Sequence, residues 1–281
     1  MGFLNVIADP LGKFLYWIYG GVNNYGIALI IFTIIVRTAM VPLTLKQYKS
    51  TAEMQKVQPL LQEVQRKYAN DKEKLNQETM KIYQEHKINP AGGCLPLLIQ
   101  MPILFALWQV ISRPLKFMLG FSDTQLADLA NQASQASTVG RYPEIDTITY
   151  FIKSGQGDKV GNLNMFFPSH SGLNLGNIPT WDFSQMIDDP SKFLLLILPL
   201  LAVVTTYLTA RMSMPKKTND STKDKAANPM GNSMLYISPL MTLIFSFQFP
   251  VGMSLYWFVG NIFSIAQQYY VNKYVLKKKE V

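Results

Sequence analysis

An all-α, polytopic membrane fold with five transmembrane helices is predicted by three features of the sequence. The first is composition: 48% of the 281 residues are apolar and only 16% are charged, against roughly 25% charged in an average soluble domain. The second is a set of apolar runs at 25–45, 94–111, 193–210, 231–249 and 251–272, none of which carries Asp, Glu or Lys. Several fall short of the roughly 20 residues that a bilayer-crossing helix needs, so their ends must extend into flanking residues. The third is the distribution of Lys and Arg. Residues 46–90 hold nine, 211–230 five and 273–281 four, whereas 112–192 hold six against eight acidic residues. Basic loops stay in the cytoplasm, so the N-terminus is predicted outside and the C-terminus inside. The formal charge of +8 reads mainly as this topology signal and not as a nucleic-acid footprint.

Residues 1–24 lack a basic n-region, and Asp9-Pro10 interrupts any apolar core, so a cleaved signal peptide is not expected. Phe3, Ile7, Leu11, Phe14, Leu15 and Ile18 recur at helical spacing. This predicts an amphipathic segment in the outer interface, with Trp17 and Tyr19 as belt residues. Residues 46–90 read as two helices joined at Ala69-Asn70-Asp71, a cytoplasmic hairpin whose first arm Pro59 should kink or restart. Lys56, Arg66 and Lys67 on that arm are candidate partner-docking residues. Cys94, the one cysteine, opens the second span and has no intrachain partner. Residues 112–192 are expected to be a mostly loop-like outer insertion, although "ADLANQASQAS" has helical character. Residues 211–230 form a polar connector with little drive to fold, and 273–281 a short basic tail.

Catalysis within a membrane needs a nucleophile with a base, paired carboxylates or metal ligands. No span contains Asp, Glu or His, the two histidines, His86 and His170, fall in loops predicted on opposite sides, and no P-loop or zinc motif occurs. An enzyme, a cofactor and a metal site are therefore not expected. The absence of intramembrane carboxylates also weakens an ion-coupled transporter, and there is no internal repeat to suggest one.

Polar residues instead fall in stripes. Thr33, Arg37 and Thr44 lie within about 40° on the first span's helical wheel. Ser254, Asn261 and Gln268 repeat every seven residues on the fifth span, Ser238, Thr242 and Ser246 every four on the fourth, and Gln100 adds an amide to the second. Two readings stand. Such residues either hydrogen-bond between helices, each worth about 0.6–2 kcal/mol, or line a hydrated groove. Arg37 stands apart, roughly 18 Å from the outer end of its span and 12 Å from the inner at 1.5 Å per residue. A charge there costs about 2.5–3.5 kcal/mol on insertion scales, and no span offers an acidic partner. It either snorkels to the cytoplasm or sits in water within a groove that attracts polar or acidic peptide segments.

The stretches "NNYGIALIIFTIIVRTAMVPLTLKQYKSTAEMQKVQP", "QETMKIYQEHKINPAGGCLPLLIQMPILFALWQV" and "FPVGMSLYWFVGNIFSIAQQYYVNKY", in that order, closely resemble the YidC-type membrane protein insertases. The resemblance covers about residues 20–111 and 193–275. It implies a five-helix core with a hydrophilic groove open to cytoplasm and lipid. In it Arg37 is the groove arginine, Thr33 precedes it by one turn, Gln100 is a groove amide, and Tyr256 and Trp257 are an aromatic pair near the substrate path. Asn261 and Gln268 join this candidate set from the polar stripe. The implied mechanism is non-enzymatic. The groove receives the hydrophilic tail of a nascent membrane protein while its apolar segment slides along spans one and five into lipid. Pro42, Pro96, Pro102, Pro199 and Pro239 add bends or freed backbone groups within spans.

The implied partners are nascent membrane proteins, membrane lipids and the Sec translocon; ribosome contact is weakly implied, because the basic tail is short. The implied location is a bacterial plasma membrane. The large folded outer domain and lipoprotein-type signal of many relatives are not seen in this sequence, which therefore resembles the five-span, single-membrane type. An anion-binding channel or transporter and a membrane-anchored scaffold are the competing readings.

Overall fold

A computed structural model of the chain describes residues 2–88, 95–135, 140–167, 173–182, 187, 191–214 and 229–276. Cys94, His170, most of the 211–230 connector and the end of the basic tail lie outside the described residues. Those described are helical, with no β-strand beyond one isolated antiparallel bridge between Phe166 and Asn174.

Helix α1 (Gly2–Val22) packs against the two helices that flank it in space, α2 (Tyr25–Ala39) and α5 (Leu95–Ser112). Of its predicted apolar stripe, Leu15 and Ile18 are buried and Ile7, Leu11 and Phe14 are partly buried against the core, with Ala8 and Tyr19 buried beside them. Tyr19 therefore departs from the belt role predicted for it. Its hydroxyl donates to the Asn162 carbonyl at 2.9 Å and accepts from the Asn164 amide at 3.0 Å, which pins α1 to the segment around residues 162–164. Trp17, on the opposite face, stays 73% exposed.

The Asn24 side chain caps α2 by accepting from the Ile27 amide at 3.0 Å. The helix then ends at Ala39, and α3 (Val41–Lys67) leaves at 59°. The first apolar run, expected as one span over 25–45, is thus broken at Met40. Pro42 lies in the first turn of α3, where its missing N–H costs nothing, but its ring would clash with the Thr38 carbonyl if α2 continued straight. Pro59 does not restart α3, which runs through it to Lys67. The α4 helix (Lys72–Glu85) is capped by Asp71, which accepts from the Lys74 amide at 3.1 Å, and folds back on α3 through buried Val57 and Ile82.

The insertion after α5 holds more helix in its described residues than its composition predicts. It contains α6 (Pro114–Phe117), α7 (Asp123–Ser134), α8 (Pro143–Lys153) and a 3₁₀ turn over Gly157–Val160. A capping box between Ser122 and Gln125 starts α7. Ile145, Ile148, Phe151, Val160, Leu163, Met165 and Leu175 build a core beneath them. These apolar residues come from a helix, a turn and a bridge, so no single period displays them. Glu144 at the start of α8 is 8% exposed. Its carboxylate accepts from Arg113 Nε at 3.1 Å and from the Lys116 amide at 3.0 Å.

The remaining helices are α9 (Ser191–Met212), α10 (Pro229–Ser246) and α11 (Val251–Tyr270), the last continuing as a π-helical turn through Leu276. α11 is the hub, packed on α9 and on α2. Among the described residues one helix, Lys192–Met212, is long and apolar enough to cross a membrane; the bent α2–α3 pair passes as a second, and Gln100–Ser112 and Leu235–Ser246 are shorter apolar helices.

This packing makes two outcomes testable. A Cβ on Gly12 would overlap the Phe117 carbonyl, and a backbone oxygen cannot yield as a side chain can. Gly12→Ala is expected to cost about 1–3 kcal/mol, read as a lower thermal midpoint in detergent. Gly20→Ala, which has open space, should lower it not at all. The second outcome concerns Glu144, whose pKa is raised because burial outweighs the Lys116 amide and the Arg113 guanidinium. The folded state then holds a proton that the unfolded chain has released, so the stability this group adds is full below the ordinary glutamate value. It is lost as pH rises through the folded value. Thermal midpoints should fall over that window, and Glu144→Gln should flatten the fall.

Candidate functional site

Arg37 sits in the last turn of α2, just before the break at Met40. Its guanidinium faces α11, with Cζ 5.8 Å from the centroid of the Tyr256 ring, within reach of a cation–π attraction. Tyr256 is 1% exposed, and its hydroxyl accepts from Gln100 Nε2 of α5 at 3.1 Å. The cation of α2 thus meets α11, and α5 holds the ring beside it. Arg37 Nε is buried and has no hydrogen-bond partner among the described residues, and no carboxylate among them pairs with the guanidinium. The arrangement can offer a permanent charge and free N–H donors to an acidic or carbonyl-bearing segment.

The other predicted members are distributed differently. Thr33 is fully buried, and its hydroxyl closes on the Leu29 carbonyl of its own helix at 2.6 Å. Asn261 Nδ2 donates to Thr206 Oγ1 at 2.8 Å and to Thr205 Oγ1 at 3.2 Å, so it faces α9. Gln268 Nε2 donates to the Met212 carbonyl at 3.0 Å and to Ser213 Oγ at 3.3 Å. Ser254 Oγ donates to Ser246 Oγ of α10 at 3.2 Å. The seven-residue stripe of α11 is therefore a seam to α9 and α10, the first of the two readings of such stripes. Trp257 packs on Phe249 at 6.3 Å, in a cluster with Trp108. Lys56, Arg66 and Lys67 are exposed on α3.

Of the face of α11 that does meet α2 and α3, sequence reasoning singled out only Tyr256. Gly260 lies directly against the Arg37 guanidinium. Gln267 Nε2 donates to Thr44 Oγ1 at 2.6 Å, and the Tyr48 hydroxyl reaches the Ser264 carbonyl at 3.5 Å. The spacing Tyr256, Gly260, Ser264, Gln267 follows the 3.6-residue period and is the signal that would have found this face.

Comparison with known proteins agrees with this architecture. The 60Kd inner membrane protein family matches residues 17–279. The chain is 31% identical over 278 residues to the membrane protein insertase YidC of Syntrophobacter fumaroxidans, covering 97% of this chain but 39% of that protein. It is 32% identical over 252 residues to the YidC of Fusobacterium nucleatum, covering 90% of this chain and 88% of that one. Against the first relatives, then, it spans about two fifths of their length, 39% and 40%. The crystal structure of an active YidC insertase with its first transmembrane domain resolved shares the fold, with a TM-score of 0.54 at 22% identity over 95% of this chain and 46% of that one. The family match across nearly the whole sequence and the shared helical fold lead to one conclusion: the chain belongs to the 60Kd inner membrane protein family and resides in a bacterial inner membrane.

Proposed function

We propose that the protein is a membrane protein insertase and chaperone. It receives the hydrophilic segment of a nascent membrane protein beside Arg37 and releases the apolar helix into lipid along α2 and α11. The observation that carries this reading is the Arg37 guanidinium, held against Tyr256 and lacking any acidic partner among the described residues. The insertase names of the relatives support it. Burying a carboxylate in hydrocarbon is opposed by desolvation, and a waiting cation offsets part of that barrier without chemistry. At fifteen residues α2 is roughly 22 Å long at 1.5 Å per residue, shorter than the roughly 30 Å hydrocarbon core. A groove ending at the Met40 break would therefore shorten the apolar path.

In this reading five segments cross the bilayer: α2 with the first turns of α3, α5, α9, α10 and α11. The α3–α4 hairpin and C-terminus lie inside, and α1 and the α6–α8 region lie outside, with α1 in the interface. The protein works alone or beside the Sec translocon, and Lys56, Arg66 and Lys67 offer a docking surface on the hairpin. Ribosome contact through the short tail is a weaker part of the proposal.

Topology is testable with single cysteines in a Cys94→Ser background. An impermeant maleimide should label Ser154→Cys on intact cells and Ala69→Cys only after lysis; the reverse pattern would refute the orientation. Function is testable in liposomes holding the purified protein, scored by protease protection of a single-span client with an acidic translocated tail. Arg37→Ala should slow insertion by roughly fivefold, the weight of a partly hydrated ion pair of about 1 kcal/mol, and should barely affect a client with a neutral tail. Full insertion of the acidic client by that variant would remove the electrostatic role.

A further inference from the structure

The face of α11 beneath Arg37 is bare backbone. A Cβ built on Gly260 would stand 2.6 Å from Arg37 Nη2, 2.9 Å from Nε and 3.0 Å from Cζ, well inside the 3.5–4.0 Å at which non-bonded heavy atoms rest. These three nearest atoms all belong to Arg37. Glycine is otherwise a poor choice within a helix, and Gly260 is buried in the middle of α11. One turn earlier Tyr256 presents its ring to the same guanidinium. The glycine supplies the floor and the tyrosine the wall of a slot for one flat cation.

We infer that Gly260 is a positioning residue for Arg37: its missing side chain lets the guanidinium dock on α11 within the membrane span, and any side chain there drives the charge off that seat. The displaced group is the tip of a long, flexible chain, so it moves and the helix does not. Freed, it snorkels toward the cytoplasm, as long cationic side chains in membrane helices do. The consequence for clients rests on the insertase reading; the seat itself does not.

The test therefore has two arms in proteoliposomes. In the first, phenylglyoxal modification of Arg37 is followed by peptide mass mapping, with exposed Arg211 as the internal control. Gly260→Ala should speed modification of Arg37 by roughly two- to fivefold, the weight of one cation–π contact, and leave Arg211 unchanged. An unchanged Arg37 rate would overturn the inference. In the second arm, Gly260→Ala should slow insertion of the acidic-tailed client toward the rate of Arg37→Ala, and should add nothing in the Arg37→Ala background. A further loss in that background would mean that the glycine acts through helix packing, which also overturns the seat. Faster modification with normal insertion would uphold the seat and count against the insertase role of Arg37. If Gly260→Ala lowers the thermal midpoint, the Arg37→Ala/Gly260→Ala pair should regain it; a pair equally unstable would again refute the overlap.

Discussion

A permanent cation carried on an apolar helix must be accommodated somewhere, and the arrangement around α2 depends on how Arg37 is held. No acid among the described residues neutralises it. Instead the guanidinium rests on the backbone of α11 at Gly260 and beside the Tyr256 ring. That ring is held in turn by Gln100 from α5. A cation bound by a quadrupole and a bare helix keeps its unspent hydrogen-bonding capacity, whereas one paired with a carboxylate would not.

This solution requires α11 to stay where it is, and the rest of the fold holds it from two sides. Toward α9 and α10, Ser254, Asn261 and Gln268 form side-chain hydrogen bonds that fix its rotation. At its N-terminal end, the first amides of α11 would be unpaired, as at any helix start. Val251 donates to the Asn177 carbonyl at 2.8 Å and Gly252 to the Leu175 carbonyl at 2.8 Å. The start of α8 also grips the α10–α11 turn, where Tyr142 and Arg141 both donate to the Gln248 carbonyl. Residues 141–142 and 175–177 thus cap the hub helix, and the core around Ile145 and Leu175 and the Glu144–Arg113 contact keep that cap in one piece.

The turn at Met40 set by Pro42 belongs to the same arrangement. Beyond the 59° bend, Thr44 and Tyr48 meet Gln267 and Ser264 of α11. The break shortens α2 and places Arg37 in its last turn, where carbonyls without helical partners favour a positive charge.

Composition and periodicity by themselves determined that the chain is helical and belongs in a membrane, because apolar runs free of Asp, Glu and Lys are read directly from residue type. They also isolated Arg37, since a lone charge in such a run is visible without any neighbour. They left open what the polar stripes do, and they missed the helices α6–α8 and the core beside them, which is assembled from pieces with no shared period. The helical wheel of α11 states which residues share a face, not which helix that face meets. Only the tertiary structure assigned Asn261 and Gln268 to α9 and Tyr256, Gly260 and Gln267 to α2 and α3. The reason is that one residue along a helix is a rotation of about 100°, so neighbours such as Gly260 and Asn261 face different partners, and which partner is decided by packing between segments far apart in the chain.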